Sequence, residues 1–180
     1  MKKKLFKEIE IPEDVEVNLE ENTLTVNGIE GENKREFNLR NLDFSKKENK
    51  IIIGNKKSTK KEKKVMNTIT AHIKNMIRGV QKKFEYKLKI CFSHFPFNVE
   101  IKDNQAIIKN FLGEKINRVC NLPKDVEIGI NNQIITINSK DKELAGQAAA
   151  NLEIITKIKN KDQRIFQDGI YITNKDGREI

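Results

Sequence analysis

The stretch VEVNLEENTLTV at Val15–Val26 is matched in pattern by FNVEIKDNQAII at Phe97–Ile108, at a shift of 82 residues. Apolar residues coincide at five pairs of positions, and Asn22 coincides with Asn104. In each copy, alternating apolar and polar residues flank a turn of acidic residues and Asn, which is the pattern of a β-hairpin. Two hairpins at a fixed shift indicate an internal duplication of the chain.

A helical pattern follows each hairpin. In the first copy, Thr59 and Glu62 form a predicted capping box. Behind them runs an apolar stripe at spacings of three and four: Val65, Ile69, Ile73, Met76, Ile77 and Val80. In the second copy, Asp141 is the predicted N-cap, and the corresponding stripe is Leu144, Ala148, Leu152, Ile155 and Ile158. The alanines at 148–150 predict a close approach of this helix to its sheet.

These patterns predict an α+β fold built by tandem duplication of two small units, each an antiparallel β-sheet with one helix packed on it. The predicted N-terminal repeat comprises residues 1–83, and the C-terminal repeat comprises residues 84–180. A strand with Tyr86, Leu88, Ile90 and Phe92 on one face is predicted to open the second repeat. Units of this size leave little room for a deep catalytic cleft.

The chain is strongly basic. Its 180 residues contain 35 Lys and Arg against 26 Asp and Glu, for a formal net charge of +9. This balance favours an anionic polymer as partner, most simply nucleic acid. Lysine-rich codon usage would give the same composition, so charge alone leaves nucleic-acid binding open. The excess of lysine over arginine suits contact with phosphates better than bidentate recognition of bases.

The charge is unevenly distributed along the chain. Residues 1–83 carry a net +7, and residues 84–180 carry a net +2. The densest patch, Lys46–Lys64, has nine lysines, among them Lys56, Lys57 and Lys60 around the start of the first helix. Cations there oppose the helix dipole, which is compatible with a phosphate-bearing partner and equally with a solvated lysine loop.

A second basic segment follows the second helix and has aromatic neighbours. Its cations are Lys157, Lys159, Lys161 and Arg164, and the rings are Phe166 and Tyr171. Basic residues interleaved with aromatic rings can hold a phosphate backbone while a ring packs on a sugar or base. The same rings could instead close the edge of the core.

Signals for other classes of protein are missing from the sequence. The N-terminus has no apolar segment of a secretory signal, and no apolar run approaches the ~20 residues of a membrane helix. Neither a phosphate-binding loop nor a dinucleotide-binding motif occurs. Cys91, His94, Cys120 and His72 lack the spacing of a zinc site. We therefore predict no enzyme activity, no catalytic residues, no metal, no cofactor, no small-molecule substrate and no membrane association.

Four segments resemble a known family, the universal large-subunit ribosomal protein six family in its archaeal and eukaryotic form. They are IPEDV at Ile11–Val15, NFLGEK at Asn110–Lys115, ELAGQAAANLE at Glu143–Glu153 and NKDQRIFQDGIYI at Asn160–Ile172. The resemblance covers nearly the whole chain, and the ending F-x-D-G-I-Y-I is quite specific. It implies a tandem duplication, which agrees with the shift of 82 residues found above.

The resemblance also implies a function. Members of the family are cytoplasmic structural constituents of the large subunit. They bind 23S-type rRNA mainly through the C-terminal unit, near the base of the acidic-protein stalk and the sarcin–ricin loop. Their expected partners are this rRNA, neighbouring ribosomal proteins and nearby translation factors. The RNA-binding residues carried over onto this chain are Lys140, Gln147, Asn151, Lys157, Lys159, Lys161 and Arg164.

Three further expectations concern the polar face of the second helix, the N-terminal lysines and an alternative function. Gln147 and Asn151 lie four residues apart and are expected to share a helix face opposite the apolar stripe. Lys56, Lys57 and Lys60 are expected to make a secondary contact with rRNA or with a neighbouring protein. The alternative function is that of a lysine-rich, two-unit adaptor that binds acidic protein partners through Lys46–Lys64.

Overall fold

The computed structural model describes residues 3–39 and 42–180, so residues 1 and 2 of the predicted first repeat lie outside the described part of the chain. One compact unit ends at Lys83, and a second begins at Phe84. Each unit combines antiparallel sheets with one long α-helix. The predicted α+β fold is confirmed.

The N-terminal unit contains two three-stranded sheets and the helix α1. Its strands are β1 (Lys3–Glu10), β2 (Glu16–Glu20), β3 (Thr23–Gly28), β4 (Gly31–Glu36), β5 (Asp43–Lys47) and β6 (Lys50–Ser58), followed by α1 (Lys60–Gln81). The strand orders are β1-β6-β5 and β2-β3-β4. Helix α1 packs against strands of both sheets.

The C-terminal unit repeats this plan and adds two strands. Its first strands are β7 (Phe84–Cys91), β8 (Asn98–Lys102) and β9 (Gln105–Lys109), followed by a 3-10 turn (Phe111–Gly113). The remaining elements are β10 (Arg118–Asn121), β11 (Glu127–Asn131), β12 (Ile134–Ser139), α2 (Lys142–Ile155), β13 (Gly169–Lys175) and β14 (Arg178–Glu179). The strand orders are β8-β9-β10 and β11-β12-β7-β13-β14.

The duplication is visible in register as well as in topology. In the first hairpin Val17 pairs with Val26, and in the second Val99 pairs with Ile108, each residue shifted by 82. The helix N-caps, Thr59 and Asp141, are separated by the same shift. Because the hairpin and the start of the helix both recur at the same shift of 82 residues, the two units are copies of one α+β motif.

The cores confirm the predicted face of α1 and most of that of α2, where Ala145 is buried in place of the half-buried Leu144. Ile69, Ile73 and Val80 of α1 are buried in the N-terminal unit. Ala145, Ala148 and Ala149 of α2 are fully buried against the core of the C-terminal unit. Since an alanine side chain is a single methyl group, α2 lies close to the strands beneath it, as predicted.

The structure corrects three details. Each unit holds two separate sheets rather than one, and its helix packs against both. Ile158 is buried from the loop after α2, because the helix ends at Ile155. Phe92 lies beyond β7 and is 41% exposed, because pairing between β7 and β13 stops at Cys91. Neither α-helix of the described chain combines the length and apolarity needed to cross a membrane.

Candidate nucleic-acid interface

The basic segment between α2 and β13 is fixed by buried residues and exposes its cations. The Thr156 side chain is buried; its hydroxyl lies 3.3 Å from the Leu152 carbonyl, to which it donates, and accepts the Ile170 N–H at 2.9 Å. Ile158 is also buried, whereas Lys157 and Lys159 on either side of it are exposed. This alternation ties the segment to the unit and directs its lysines to solvent.

The four cations of the segment differ in their surroundings. The side chains of Lys157 and Lys159 have no hydrogen-bond or ion-pair partner among the described residues. The Lys161 Nζ lies 4.3 Å from the centroid of the Phe166 ring. Arg164 has a 90% exposed side chain and forms an ion pair with Asp162, with 2.8 Å between Nη2 and Oδ2. The hydrogen bond from Arg164 lowers the pKa of the Asp162 carboxyl.

Directly before β13, Asp168 holds the loop that follows β7. Its carboxylate is 1% exposed, and its Oδ1 accepts the N–H groups of Ser93 at 2.7 Å and His94 at 3.0 Å. Its Oδ2 accepts the Ser93 hydroxyl at 3.2 Å and lies 2.6 Å from His94 Nδ1. Burial raises the pKa of Asp168, but the hydrogen bonds from His94 and Ser93 outweigh it and lower the pKa to about 2.

The Asp168 carboxylate also fixes the imidazole of His94. An ionised carboxylate only accepts hydrogen bonds, so His94 Nδ1 donates to it. The His94 ring then stacks on Phe166, with the centroids 4.6 Å apart and the planes 13° apart. Phe166 is thereby held on one side by a ring that is itself anchored to a buried charge.

Ser93, His94 and Asp168 are the residue types of a hydrolytic triad, but their geometry differs from one. In a triad the serine hydroxyl is hydrogen-bonded to Nε2 while the aspartate holds Nδ1. Here the Ser93 Oγ lies 3.2 Å from Nδ1, on the same nitrogen that Asp168 holds. His94 is therefore not placed to take the proton of Ser93, and the cluster orders a loop.

The predicted residues at the helix occupy two separate places. Lys140 precedes the N-cap of α2 and Lys157 follows its C-terminus, so a helix of 14 residues, about 21 Å long, lies between them. Gln147 donates to Asn151 at 2.7 Å, and Asn151 donates to the Asn121 carbonyl of β10 at 3.1 Å. The two side chains share a face of α2, as predicted. Asn151 connects that face to β10 through its hydrogen bond to Asn121.

The other predicted lysines belong to the N-terminal unit. Lys56 and Lys57 lie in β6, Lys60 is the first residue of α1, and all three are exposed. Within the same patch, however, Lys46 Nζ donates to the Val17 carbonyl at 2.7 Å. Part of the lysine patch is thus used in the unit's own structure.

No pattern in the sequence indicates the role of Arg118. Its guanidinium donates to the Ile155 carbonyl at the end of α2 at 2.7 Å and lies 4.3 Å from the Phe111 ring centroid. It also forms two hydrogen bonds with the Glu114 carboxylate. Arg118 at the start of β10 therefore caps the end of α2 immediately before the basic segment begins, and Glu114 of the NFLGEK segment holds its guanidinium.

Metal binding has no support in the described residues, where no three His, Cys, Asp or Glu side chains are grouped as ligands. Both cysteines are free, and burial raises the pKa of the Cys120 thiol. The features available for recognition are therefore exposed cations, amides and aromatic rings.

Comparison with known proteins assigns the family. The model of the family described as ribosomal protein L6 matches residues 11–83 and 95–169, one match in each unit. A protein of Methanobrevibacter smithii named "Large ribosomal subunit protein uL6" is 43% identical over 94% of this chain and 95% of its own length. A protein of the same name from Staphylothermus marinus is 44% identical over 93% of this chain and 93% of its own length. Another from Nanoarchaeum equitans is 41% identical over 96% of this chain and 94% of its own length. The family model matches each of the two structural repeats, and the relatives match over nearly the whole chain. The chain therefore belongs to the ribosomal protein L6 family.

Proposed function

We propose that this protein is a cytoplasmic structural constituent of the large ribosomal subunit and binds 23S-type rRNA through its C-terminal unit. The relatives that match over nearly the full chain are named as large-subunit proteins. The observation that carries the rRNA contact is the segment Lys157–Arg164, whose cations are exposed while Thr156 and Ile158 anchor it from inside. A preordered row of cations can engage phosphates without a large loss of conformational entropy.

The roles of the residues follow from their surroundings. Lys157 and Lys159 neutralise phosphates, because among the described residues they have no competing carboxylate. Lys140 and the amide pair of Gln147 and Asn151 form contacts along α2 that set the register of the RNA. With lysines and amides as its main polar groups, the surface recognises the shape of a folded RNA more than its base sequence.

The location we propose within the subunit is near the base of the acidic-protein stalk and the sarcin–ricin region. It is supported by the resemblance of the NFLGEK and F-x-D-G-I-Y-I segments to the family's archaeal and eukaryotic form. There the protein holds rRNA and neighbouring ribosomal proteins in place beside the site where translation factors dock. Lys56, Lys57 and Lys60 supply a secondary contact from the N-terminal unit. The role is that of a scaffold rather than of an enzyme.

Filter binding of the full chain to deproteinised large-subunit rRNA tests the proposal. Replacing Lys157, Lys159 and Lys161 together by Ala should weaken binding about tenfold or more at moderate salt, because up to three phosphate contacts are lost. The matched control replaces three exposed lysines elsewhere in the same unit, Lys102, Lys124 and Lys175. Equal losses in the two triple variants would mean that only net charge matters, and would contradict the proposed interface.

Sedimentation distinguishes the scaffold from the adaptor alternative. A constituent of the large subunit sediments with the particle and is released only by high salt. An adaptor that binds acidic proteins through Lys46–Lys64 would instead remain in the light fractions with its partner. Recovery of the intact protein in light fractions only would contradict the scaffold role.

A further inference from the structure

The C-terminal unit contains a cavity of about 470 Å³ beside the basic segment. It lies between the last turn of α2, the loop that follows and the start of β13, and it is formed within this one unit. Its volume falls in the range of about 300–1,000 Å³ that is typical of small-ligand sites. The cavity therefore has the size of a site for one compact group rather than of a packing defect.

The lining of the cavity is apolar at its base and polar at its edge. Ile158 and Ile170 are buried residues of the wall, whereas Ile154 and Tyr171 are 64% and 42% exposed. Lys157 and Gln163 also line it, and the Gln163 side chain has no hydrogen-bond partner among the described residues. A ligand there would meet aliphatic and aromatic surface on its faces and an amide and an ammonium group at its edge.

Two contacts preform the aromatic part of this wall. Phe166 is held by the His94 ring stacked on it, and His94 is held in turn by the buried Asp168 carboxylate. Tyr171 folds back over Gly169, where a Cβ would lie only 3.3 Å from three atoms of the Tyr171 side chain. Because these rings are already positioned, a ligand would not need to order them.

We propose that this cavity receives one unpaired nucleobase of the rRNA, an inference that rests on the proposed function. A nucleobase is flat and apolar on its faces but carries donors and acceptors at its edge, which matches the lining described above. Proteins that recognise folded RNA commonly take up splayed-out bases on aromatic side chains. The adjacent Lys157 is placed to meet the phosphate of the same nucleotide, which an apolar side chain from a protein partner would not require.

Ultraviolet cross-linking of the full chain to deproteinised large-subunit rRNA gives a direct readout, since bases stacked on aromatic rings form adducts. Mass spectrometry of the digested complex should find a nucleotide on Tyr171, which is 42% exposed. In filter binding, Tyr171→Leu keeps apolar volume but removes the ring, and should weaken binding about 5- to 100-fold. The matched control is Ile134→Ala, which truncates a half-exposed apolar residue of β12 in the same unit, and thermal melting confirms that both variants fold.

The outcomes separate this inference from the function on which it rests. If the wild type binds rRNA and the lysine variant weakens it, but Tyr171→Leu binds normally and the adducts lie elsewhere, the base pocket is wrong and the rRNA interface stands. The same result would follow if a side chain from a neighbouring protein fills the cavity. If the wild type does not bind rRNA at all, the proposed function fails and the pocket fails with it.

Discussion

His94 Nδ1 lies 2.6 Å from the buried Oδ2 of Asp168, a residue 74 positions further along the chain. This pair joins the loop after β7 to the start of β13, one of the two strands that the C-terminal unit adds to the duplicated motif. Because His94 also stacks on Phe166, the same pair sets the position of an aromatic ring at the candidate interface. One buried carboxylate therefore links the folding of this unit to the shape of its surface.

Asp168→Asn should lower the free energy of unfolding by about 2 kcal/mol at neutral pH. The folded-state pKa of Asp168 is lowered to about 2, below the value of about 3.9 for an unfolded aspartate. The stabilisation is therefore fully present above about pH 4 and is lost as the pH falls towards 2. Chemical denaturation at a series of pH values should show the difference between wild type and variant shrinking across that window.

The control for this prediction is Asp103→Asn. Asp103 is exposed at the turn between β8 and β9 with a φ of 46°, a conformation that Asn also accepts readily. This variant should differ little from the wild type at any pH. A loss of stability in Asp168→Asn that stays constant down to pH 2 would show that the carboxylate charge is not the stabilising feature.

The equivalent N-caps should be of similar importance to their units. The Thr59 side chain accepts from the Lys61 N–H and takes part in a capping box with Glu62, and the Asp141 side chain accepts from the Glu143 N–H at 2.8 Å. Thr59→Ala and Asp141→Ala should each cost about 1 kcal/mol. Hydrogen exchange can assign each loss to its own helix, and the conservative changes Thr59→Ser and Asp141→Asn should restore most of it. A loss spread evenly over both helices in either variant would contradict independent capping.

Arg118→Lys should destabilise the C-terminal unit by about 1–2 kcal/mol although it preserves the charge. A lysine cannot donate to the Ile155 carbonyl and to both oxygens of Glu114 in the planar geometry seen here. Thermal unfolding checks the prediction, with Arg178→Lys on the exposed strand β14 as the control. Similar melting of the two variants would show that charge alone suffices at position 118.

The sequence revealed the fold well because its signals are local and occur twice. Hairpin alternation, the Thr59 capping box and the alanines of α2 each depend on residues close together in the chain, and the hairpin alternation and the helix N-cap recur at the shift of 82 residues. The division of each unit into two sheets was missed, since alternation predicts strands but not which strands pair. The pairs of Asp168 with His94 and of Arg118 with Ile155 join residues 74 and 37 positions apart, and no periodicity reports such contacts.

Salt dependence can decide which unit is the main anchor, because net charge and structure point to different units. The N-terminal unit carries more charge, but Lys46 of its patch donates to the Val17 carbonyl, whereas the side chains of Lys157 and Lys159 have no partner among the described residues. Each phosphate contact contributes about 0.7–0.9 to the slope of log K against log salt concentration. Replacing Lys157, Lys159 and Lys161 by Ala should therefore reduce the slope by about two units. Replacing Lys56, Lys57 and Lys60 by Ala should reduce the slope by less than about one unit. Equal reductions in the two triple variants would show that the N-terminal unit contributes as many phosphate contacts as the C-terminal unit.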